Sequence, residues 1–147
     1  MAKLTGKCEF ERGHSFTGYA AIFNERDYDG DVFLPGAFRE TLKSSGGIVP
    51  IFWQEQMIGW VDSAHEDSIG LLVSGRLTEN GIARCVYESI ELGLRVNGNL
   101  GLQVGFAVPR GGSYRRMGAR HLQRVELLEV SIVHRPANPR TIISSCT

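Results

Sequence analysis

The 147-residue sequence has no long hydrophobic run. No uninterrupted apolar stretch approaches the roughly 18 residues that a membrane-spanning helix requires, so we expect no membrane partner. The first ten residues contain Lys3 and Lys7 and no apolar segment, which is unlike a secretory signal peptide. The sequence therefore predicts a protein that starts in the cytoplasm.

The sequence also has no excess of charge of either sign. Sixteen Lys and Arg residues are matched by sixteen Asp and Glu residues, which gives a formal net charge of zero. Sequence-independent nucleic-acid binding usually depends on a strong positive excess, so we expect no specific nucleic-acid partner. The local basic stretch Arg110–Arg120 is interspersed with glycines and is interpreted as a solvated hairpin loop.

Cysteines are few, and acidic residues do not form a recognisable metal-binding pattern. Cys8, Cys85 and Cys146 lie far apart without a C-x-x-C pair, so they indicate reduced thiols rather than zinc or redox chemistry. The loop Asn24–Pro35 contains three aspartates but lacks the glutamate spacing of a calcium loop, and is interpreted as a solvated turn. We expect no metal and no cofactor.

Short segments of alternating apolar residues dominate the chain and indicate β-strands. The first two segments, Lys3–Arg12 and Ser15–Phe23, predict a hairpin around Gly13. Because most connections are short, we expect a largely antiparallel sheet curled into a barrel or sandwich, in one α+β, mostly β domain over residues 1–147. The other predicted strands are Ile48–Trp53, Met57–Ala64, Ile69–Leu77, Leu100–Val108, His121–Val125 and Leu127–Val133.

Two segments have helical periodicity and are predicted to lie outside the sheet. A short helix follows Pro35 and ends near Ser44. A longer one covers Thr78–Gly93, because apolar residues recur every four positions in a helical pattern. Cys85 lies among these apolar positions and is predicted to be a packed thiol. The periodic residues are Ile82, Val86, Ile90 and Leu94.

Eight stretches, in order along the chain, resemble the prohead (procapsid maturation) serine proteases of tailed bacteriophages. The resemblance implies a fold like that of the herpesvirus capsid proteases, the assemblins. The matching stretches are G-Y-A-A-I-F-N at Gly18–Asn24, G-D-V-F-L-P-G-A-F at Gly30–Phe38, T-L at Thr41–Leu42, V-P-I-F-W at Val49–Trp53, I-G at Ile58–Gly59, G-L-L-V-S-G-R-L at Gly70–Leu77, G-L-Q-V-G-F at Gly101–Phe106, and L-L-E-V-S-I-V-H-R-P-A-N-P at Leu127–Pro139.

This chain departs from the family pattern at both reactive positions that the resemblance implies. Active members are expected to carry a serine where this chain has Gln103, and a histidine shortly after the tryptophan matched by Trp53. Glu55 stands at or near the histidine position, in a connection that is shorter by a few residues. Glu129 is expected to face the same degenerate site. We therefore predict no catalytic residue of the family kind.

Other side chains offer weak substitutes for the missing groups. Ser131 is the first candidate nucleophile, and Ser144 and Ser145 are the others. Ser131 and His134 are three residues apart on one predicted strand, and residues with this spacing point to opposite faces. Ser131 should therefore not meet His134. His65 is predicted to lie in a turn, and it, His14 and His121 are interpreted as surface histidines.

Three functional hypotheses follow. The favoured one is an inactive prohead-protease homologue, a pseudoprotease, that acts as a structural or assembly component of a phage or prophage-derived capsid. The alternatives are an active serine endopeptidase of procapsid maturation with a rearranged site, and a non-viral binding module. The first implies the major capsid protein or other capsid components as partners, self-association, and a location in the host cytoplasm within a procapsid or virion.

Overall fold

The computed structural model describes residues 14–44 and 48–147, and the predicted strand Lys3–Arg12 lies outside these ranges. The described residues contain ten strands and two helices. In chain order these are β1 (Ser15–Ile22), β2 (Asp31–Phe33), α1 (Arg39–Ser44), β3 (Pro50–Trp53), β4 (Gln56–Glu66), β5 (Gly70–Leu77), α2 (Gly81–Val96), β6 (Gly101–Ala107), β7 (Ser113–Arg116), β8 (Ala119–Leu122), β9 (Glu126–Val133) and β10 (Ile143–Cys146).

Seven strands form one curled sheet in the order β10-β1-β5-β4-β3-β9-β6. All neighbours are antiparallel except β3 and β9, which are parallel. The two outer strands approach each other, because the Leu102 amide donates to the Thr141 carbonyl at 2.8 Å and the Ile143 amide donates to the Leu100 carbonyl at 2.9 Å. The prediction of a mostly β, largely antiparallel, curled sheet with peripheral helices is confirmed.

A smaller sheet of three strands, in the order β2-β8-β7, packs beside the main one. Within this small sheet Asp31 of β2 is 6% exposed and accepts two hydrogen bonds, at 2.8 and 3.0 Å, from Arg120 of the paired strand β8. The hydrogen bonds that Arg120 donates to the Asp31 carboxylate raise the pKa of the Arg120 side chain. The interpretation of this aspartate loop as a solvated turn is therefore wrong for Asp31.

The core lies between the inner face of the main sheet and α2. Alternate residues of β5 are fully buried, among them Leu71, Val73 and Leu77, as the period of two predicts. The helix buries one stripe against them, including Val86 and Ile90. Apolar burial of this kind is the main favourable contribution to folding.

Several sequence predictions placed an element or a side chain wrongly. His65 lies within β4, because the strand continues to Glu66. The long helix starts at Gly81, after the N-cap Asn80, and ends at Val96. Cys85 is exposed, so it is not a packed thiol. Part of the predicted Arg110–Arg120 loop forms strand β7. No helix in the two described ranges has the length and apolar character to span a membrane.

Replacement of Gly70 by alanine is expected to destabilise the sheet strongly. A Cβ added at Gly70 would lie 1.9 Å from the Ala21 carbonyl oxygen in the neighbouring strand, whereas one added at Gly81 would have no atom within 4 Å. In urea unfolding, Gly70→Ala should lower the free energy of unfolding by about 2 kcal/mol or more. The matched control Gly81→Ala, at the first residue of α2, should leave the free energy of unfolding unchanged or raise it by up to about 1 kcal/mol, because alanine favours the helix. Equal effects would contradict the close β1–β5 contact.

Candidate functional site

Strand β6 presents two unlike faces. Leu102 and Val104 point into the core and are 0% and 8% exposed. Because side chains alternate along a strand, Gly101, Gln103 and Gly105 lie on the other face. Gln103 is therefore a half-buried polar residue between two glycines, outside the core.

The side chain of Gln103 is held by the loop that follows β9. Its Oε1 accepts a hydrogen bond from the Ala137 backbone N–H at 3.2 Å. Gly101 makes room for the same loop, since an added Cβ there would lie 2.5 Å from Pro136 Cγ. The loop thus covers the outer face of β6, and Gln103 fixes it in place.

Two residues of β9 share this outer face with Gln103. Ser131 is the direct antiparallel partner of Gln103, and Glu129 is the partner of Gly105. Directly opposed residues point to the same side of a sheet, with Cβ atoms about 5 Å apart. A Cβ added at Gly105 would lie 2.5 Å from Glu129 Cγ, so the carboxylate side chain lies across that glycine. The structure therefore brings together Gln103, Ser131 and Glu129.

Glu55 does not join this group. It is exposed, and with Gln54 it forms the two-residue turn between β3 and β4. In the sheet register Phe52 of β3 pairs with Ser131 of β9, and Ser131 pairs in turn with Gln103 of β6. Glu55 is thus two strands away from Gln103, about 10 Å laterally, and three residues further along the chain.

The four histidines of the chain contact other parts of the structure. The His134 ring contacts Trp53 at 5.1 Å between centroids, and the His14 ring contacts Tyr87 at 4.9 Å. His121 is stacked on Tyr114, and His65 pairs with Leu72 across β4 and β5. None of the four rings is hydrogen-bonded to Ser131, whose neighbours on the outer face are Gln103 and Glu129.

The serine pair of β10 offers no better arrangement. Ser144 Oγ donates a hydrogen bond to the Thr17 carbonyl oxygen at 3.2 Å. Ser145 is the antiparallel partner of Thr17, and both serines are exposed at the edge of the main sheet. Neither lies on the β6–β9 face.

A small acidic cavity adjoins Gln103. It has a volume of about 40 Å³, and Glu25, Asp27 and Asp29 line one side of it. A cavity of this size has room for a few water molecules. Burial raises the pKa of Asp27, whose Oδ1 accepts hydrogen bonds from the amides of Asp29 and Asp31 at 2.9 Å each. This acidic lining is a feature that the sequence analysis missed, because the loop has no motif that indicates its fold.

The described residues contain no group of three or more His, Cys, Asp or Glu side chains placed to hold a metal ion. On the β6–β9 face the polar side chains are the amide of Gln103, the hydroxyl of Ser131 and the carboxylate of Glu129. Such a set donates and accepts hydrogen bonds, but among the described residues no hydrogen bond joins the Ser131 hydroxyl to the Glu129 carboxylate or to an imidazole.

Loss of the Gln103 side chain should weaken the fold measurably. Gln103→Ala leaves the Ala137 N–H without its acceptor and should lower the free energy of unfolding in urea by about 1 kcal/mol. Gln123→Ala is the control, because exposed Gln123 also hydrogen-bonds a backbone group, Gly111 O at 3.1 Å. The control should change stability by less than about 0.5 kcal/mol. Indistinguishable variants would mean that Gln103 does not hold the loop.

The charge of Asp27 should disfavour folding at neutral pH. Because its pKa is raised in the folded state, the ionised form is penalised above that pKa, and the penalty disappears as pH falls below the ordinary carboxyl range. Asp27→Asn retains the Oδ1 acceptor and should be more stable than the parent at pH 7, by less than about 1 kcal/mol at this half-exposed position. The gain should vanish near pH 3.

Asp29→Asn, in the exposed part of the same loop, is the control for this comparison. Unfolding curves over the pH range provide the measurement. A gain for Asp27→Asn that persists unchanged in acid would exclude ionisation as its cause.

Comparison with known proteins agrees with the resemblance in the sequence. A sequence model of the family described as caudovirus prohead serine protease matches residues 4–147. The prohead protease of Enterobacteria phage HK97 is 33% identical over 137 residues, which cover 88% of this chain and 59% of that protein. The chain thus spans less than two thirds of that relative.

Two solved structures have a similar fold at low sequence identity. The KSHV protease in complex with a hexapeptide phosphonate inhibitor has a TM-score of 0.55 and 14% identity, over 89% of this chain and 63% of the other. The capsid assembly protease of bacteriophage T4 has a TM-score of 0.52 and 9% identity, over 82% of this chain and 81% of the other. The match over residues 4–147 and the 33% identity to the HK97 protein show that this chain belongs to the caudovirus prohead serine protease family.

Proposed function

We propose that this chain is a prohead-protease homologue that does not hydrolyse peptide bonds and acts as an assembly component of a phage or prophage-derived capsid. The observation that carries the proposal is Gln103. It occupies the strand position where the family resemblance implies a nucleophilic serine, and its side chain is engaged with the Ala137 amide.

The chemistry of the site supports loss of catalysis at three levels. The neutral carboxamide of Gln103 is a poor nucleophile. In the described ranges no imidazole is hydrogen-bonded to Ser131, and the rings of His14, His121 and His134 contact aromatic side chains. The Ala137 N–H, a backbone donor of the kind that stabilises an oxyanion, already binds the Gln103 oxygen. Removal of a nucleophile alone costs several orders of magnitude in rate.

The fold supports a role that depends on shape. Membership of the family suggests association with the major capsid protein or other capsid components, within a procapsid in the host cell. Because the family fold is retained while the two reactive positions differ, we infer a role that depends on shape and surface rather than on turnover. We therefore propose the host cytoplasm and the procapsid or virion as its location.

A cleavage assay with the cognate major capsid protein tests this proposal. The purified chain is incubated with the capsid protein, and the products are measured by intact mass. The capsid protein should stay intact, and Gln103→Ser should also be inactive because it restores no base. Specific cleavage by the parent chain that Gln103→Ala abolishes would overturn the proposal.

A second candidate, an active endopeptidase with a rearranged site, is favoured by one observation. Ser131 lies opposite Gln103 on the same face as Glu129. A fluorophosphonate probe for activated serines distinguishes the two candidates. We expect no labelled serine under conditions in which an active serine hydrolase is labelled completely. Labelling that Ser131→Ala removes and Ser144→Ala retains would establish the second candidate.

A further inference from the structure

Residues 107–125 carry a concentrated positive charge. This stretch contains the β7–β8 hairpin with its flanking segments, and it has five arginines and no Asp or Glu. Because the whole chain has a formal net charge of zero, the remainder carries the compensating negative charge. The hairpin is thus a basic element on a chain that is neutral overall. The arginines are Arg110, Arg115, Arg116, Arg120 and Arg124.

Two arginines near the tip of the hairpin have their charges exposed to solvent. Arg120 is neutralised by its ion pair with the buried Asp31. Arg115 and Arg116 are exposed, and neither forms an ion pair with a residue of the described ranges. These two charges are therefore available to a binding partner.

The hairpin is regular, and one of its two edges is open. Met117 and Gly118 form its two-residue turn with φ values of 53° and 79°, the positive values that a tight hairpin favours. On its far side β8 pairs with β2, and the Arg120 amide donates to the Gly30 carbonyl at 2.9 Å. Strand β7 ends the small sheet, and no strand within the described ranges pairs with its outer edge.

The open edge of β7 presents backbone groups for pairing. Arg116 and Ala119 flank the two-residue turn, so they form a hydrogen-bonded pair across the hairpin. The pattern alternates along an antiparallel ladder, which makes Arg115 and Arg120 the next, non-hydrogen-bonded pair. The N–H and C=O of Arg115 therefore point away from β8 to the open edge, just as the Arg120 N–H points away from β7 to Gly30.

Arg115 and Arg116 lie on opposite faces of the hairpin, because neighbouring side chains alternate along a strand. Arg116 shares its face with Tyr114, which is 40% exposed and is stacked on His121 with ring centroids 5.1 Å apart. Arg115 shares the other face with Arg120. A strand added to the β7 edge would place its own side chains on these two faces in turn. Two consecutive acidic residues would then meet Arg115 and Arg116.

We infer that the outer edge of β7 binds an extended acidic segment of a partner protein as an added β-strand. The edge supplies backbone hydrogen bonds, and Arg115 and Arg116 supply charge complementarity to two consecutive Asp or Glu residues. An apolar residue beside the acidic pair would contact Tyr114. The arginines also act against apolar and basic strands, because charged residues on an edge disfavour unspecific pairing. The site does not involve Gln103 or Ser131, so it is independent of the proposed loss of catalysis.

The same geometry disfavours nucleic acid as the occupant. A phosphate backbone is bound by basic residues gathered on one face, whereas Arg115 and Arg116 point to opposite faces. The zero net charge of the chain also gives no long-range attraction to a polyanion. A peptide strand, in contrast, reaches both faces from the edge.

A palindromic peptide measures binding in either strand direction. Acetyl-Ser-Val-Glu-Glu-Val-Ser-amide, the Glu-Glu peptide, is titrated into the isotope-labelled chain at about 50 mM salt, where screening is modest, and followed by amide chemical shifts. We expect a dissociation constant below about 1 mM, with shift changes at Ser113–Arg116. Acetyl-Ser-Glu-Val-Glu-Val-Ser-amide is the matched peptide, because its two glutamates lie on one face. It should bind at least about threefold more weakly, since it can reach one arginine only.

Charge reversal tests the two arginines. The variant with Arg115→Glu and Arg116→Glu should bind the Glu-Glu peptide at least about tenfold more weakly, and should bind acetyl-Ser-Val-Lys-Lys-Val-Ser-amide in its place. Arg84→Glu with Arg95→Glu is the matched control, because it reverses two exposed arginines of α2 and changes the net charge equally. The control should stay within about twofold of the parent for the Glu-Glu peptide. Circular dichroism of each variant confirms that the fold is retained.

Amide hydrogen exchange separates strand addition from loose electrostatic association. At saturating Glu-Glu peptide the Arg115 amide should exchange at least about fivefold more slowly, because an added strand accepts its hydrogen bond. This protection and the binding of the Lys-Lys peptide by the reversed variant support the site. No binding at several millimolar peptide, equal binding of the two glutamate peptides, an unchanged Arg115 exchange rate, or tighter binding of a six-nucleotide single-stranded DNA would overturn it.

Discussion

Two hydrogen bonds join the start of β6 to the start of β10 and so connect the two outer strands of the main sheet. The Leu102 amide donates to the Thr141 carbonyl, and the Ile143 amide donates to the Leu100 carbonyl. Because these bonds fix the end of the connection between β9 and β10, they also fix the loop that crosses the outer face of β6. The hydrogen bonds between the starts of β6 and β10 therefore determine which residues surround Gln103.

The contact between β6 and β10 places a loop over the outer face of β6, and this explains why glycines lie on both sides of Gln103. Gly101 leaves space for Pro136, and Gly105 leaves space for the Glu129 side chain. With a polar acceptor at position 103, the loop gains a side-chain contact to the Ala137 amide. A position that would carry the nucleophile in an active relative thus has a structural role here, and loss of chemistry is compatible with retention of the fold.

Periodicity in the sequence was sufficient to locate the elements that bury one complete face and to identify their buried residues. The alternation in β5 and β6 gave their position and their inner residues, and it placed Gln103 opposite the core. The strands β2 and β10 have three and four residues, too few for a period to be read, and they are defined by pairing with distant strands. The close approach of Ser131 and Gln103 depends on register, which the sequence does not specify.

The helix α2 shows a second limit of sequence patterns, because its pattern predicts a helix without identifying its buried side. Its apolar residues occupy two stripes, and the pattern alone does not indicate which stripe packs against the sheet. Ile82 shares the apolar periodicity of Val86 and Ile90, but it is 39% exposed and lies on the same stripe as the exposed Cys85. Glu55 likewise stays apart from Gln103, because the tight β3–β4 turn directs it away from the β6–β9 face.

Amide hydrogen exchange of Ala137 tests most directly whether the nucleophile position has become a structural one. The experiment compares the parent chain with Gln103→Ser, and the Leu102 amide, bonded to Thr141, serves as the internal reference. Exchange at Ala137 should be faster by about tenfold in the variant, as the loss of one hydrogen bond implies, while exchange at Leu102 stays unchanged. Equal protection of Ala137 in both proteins would contradict a structural role for Gln103.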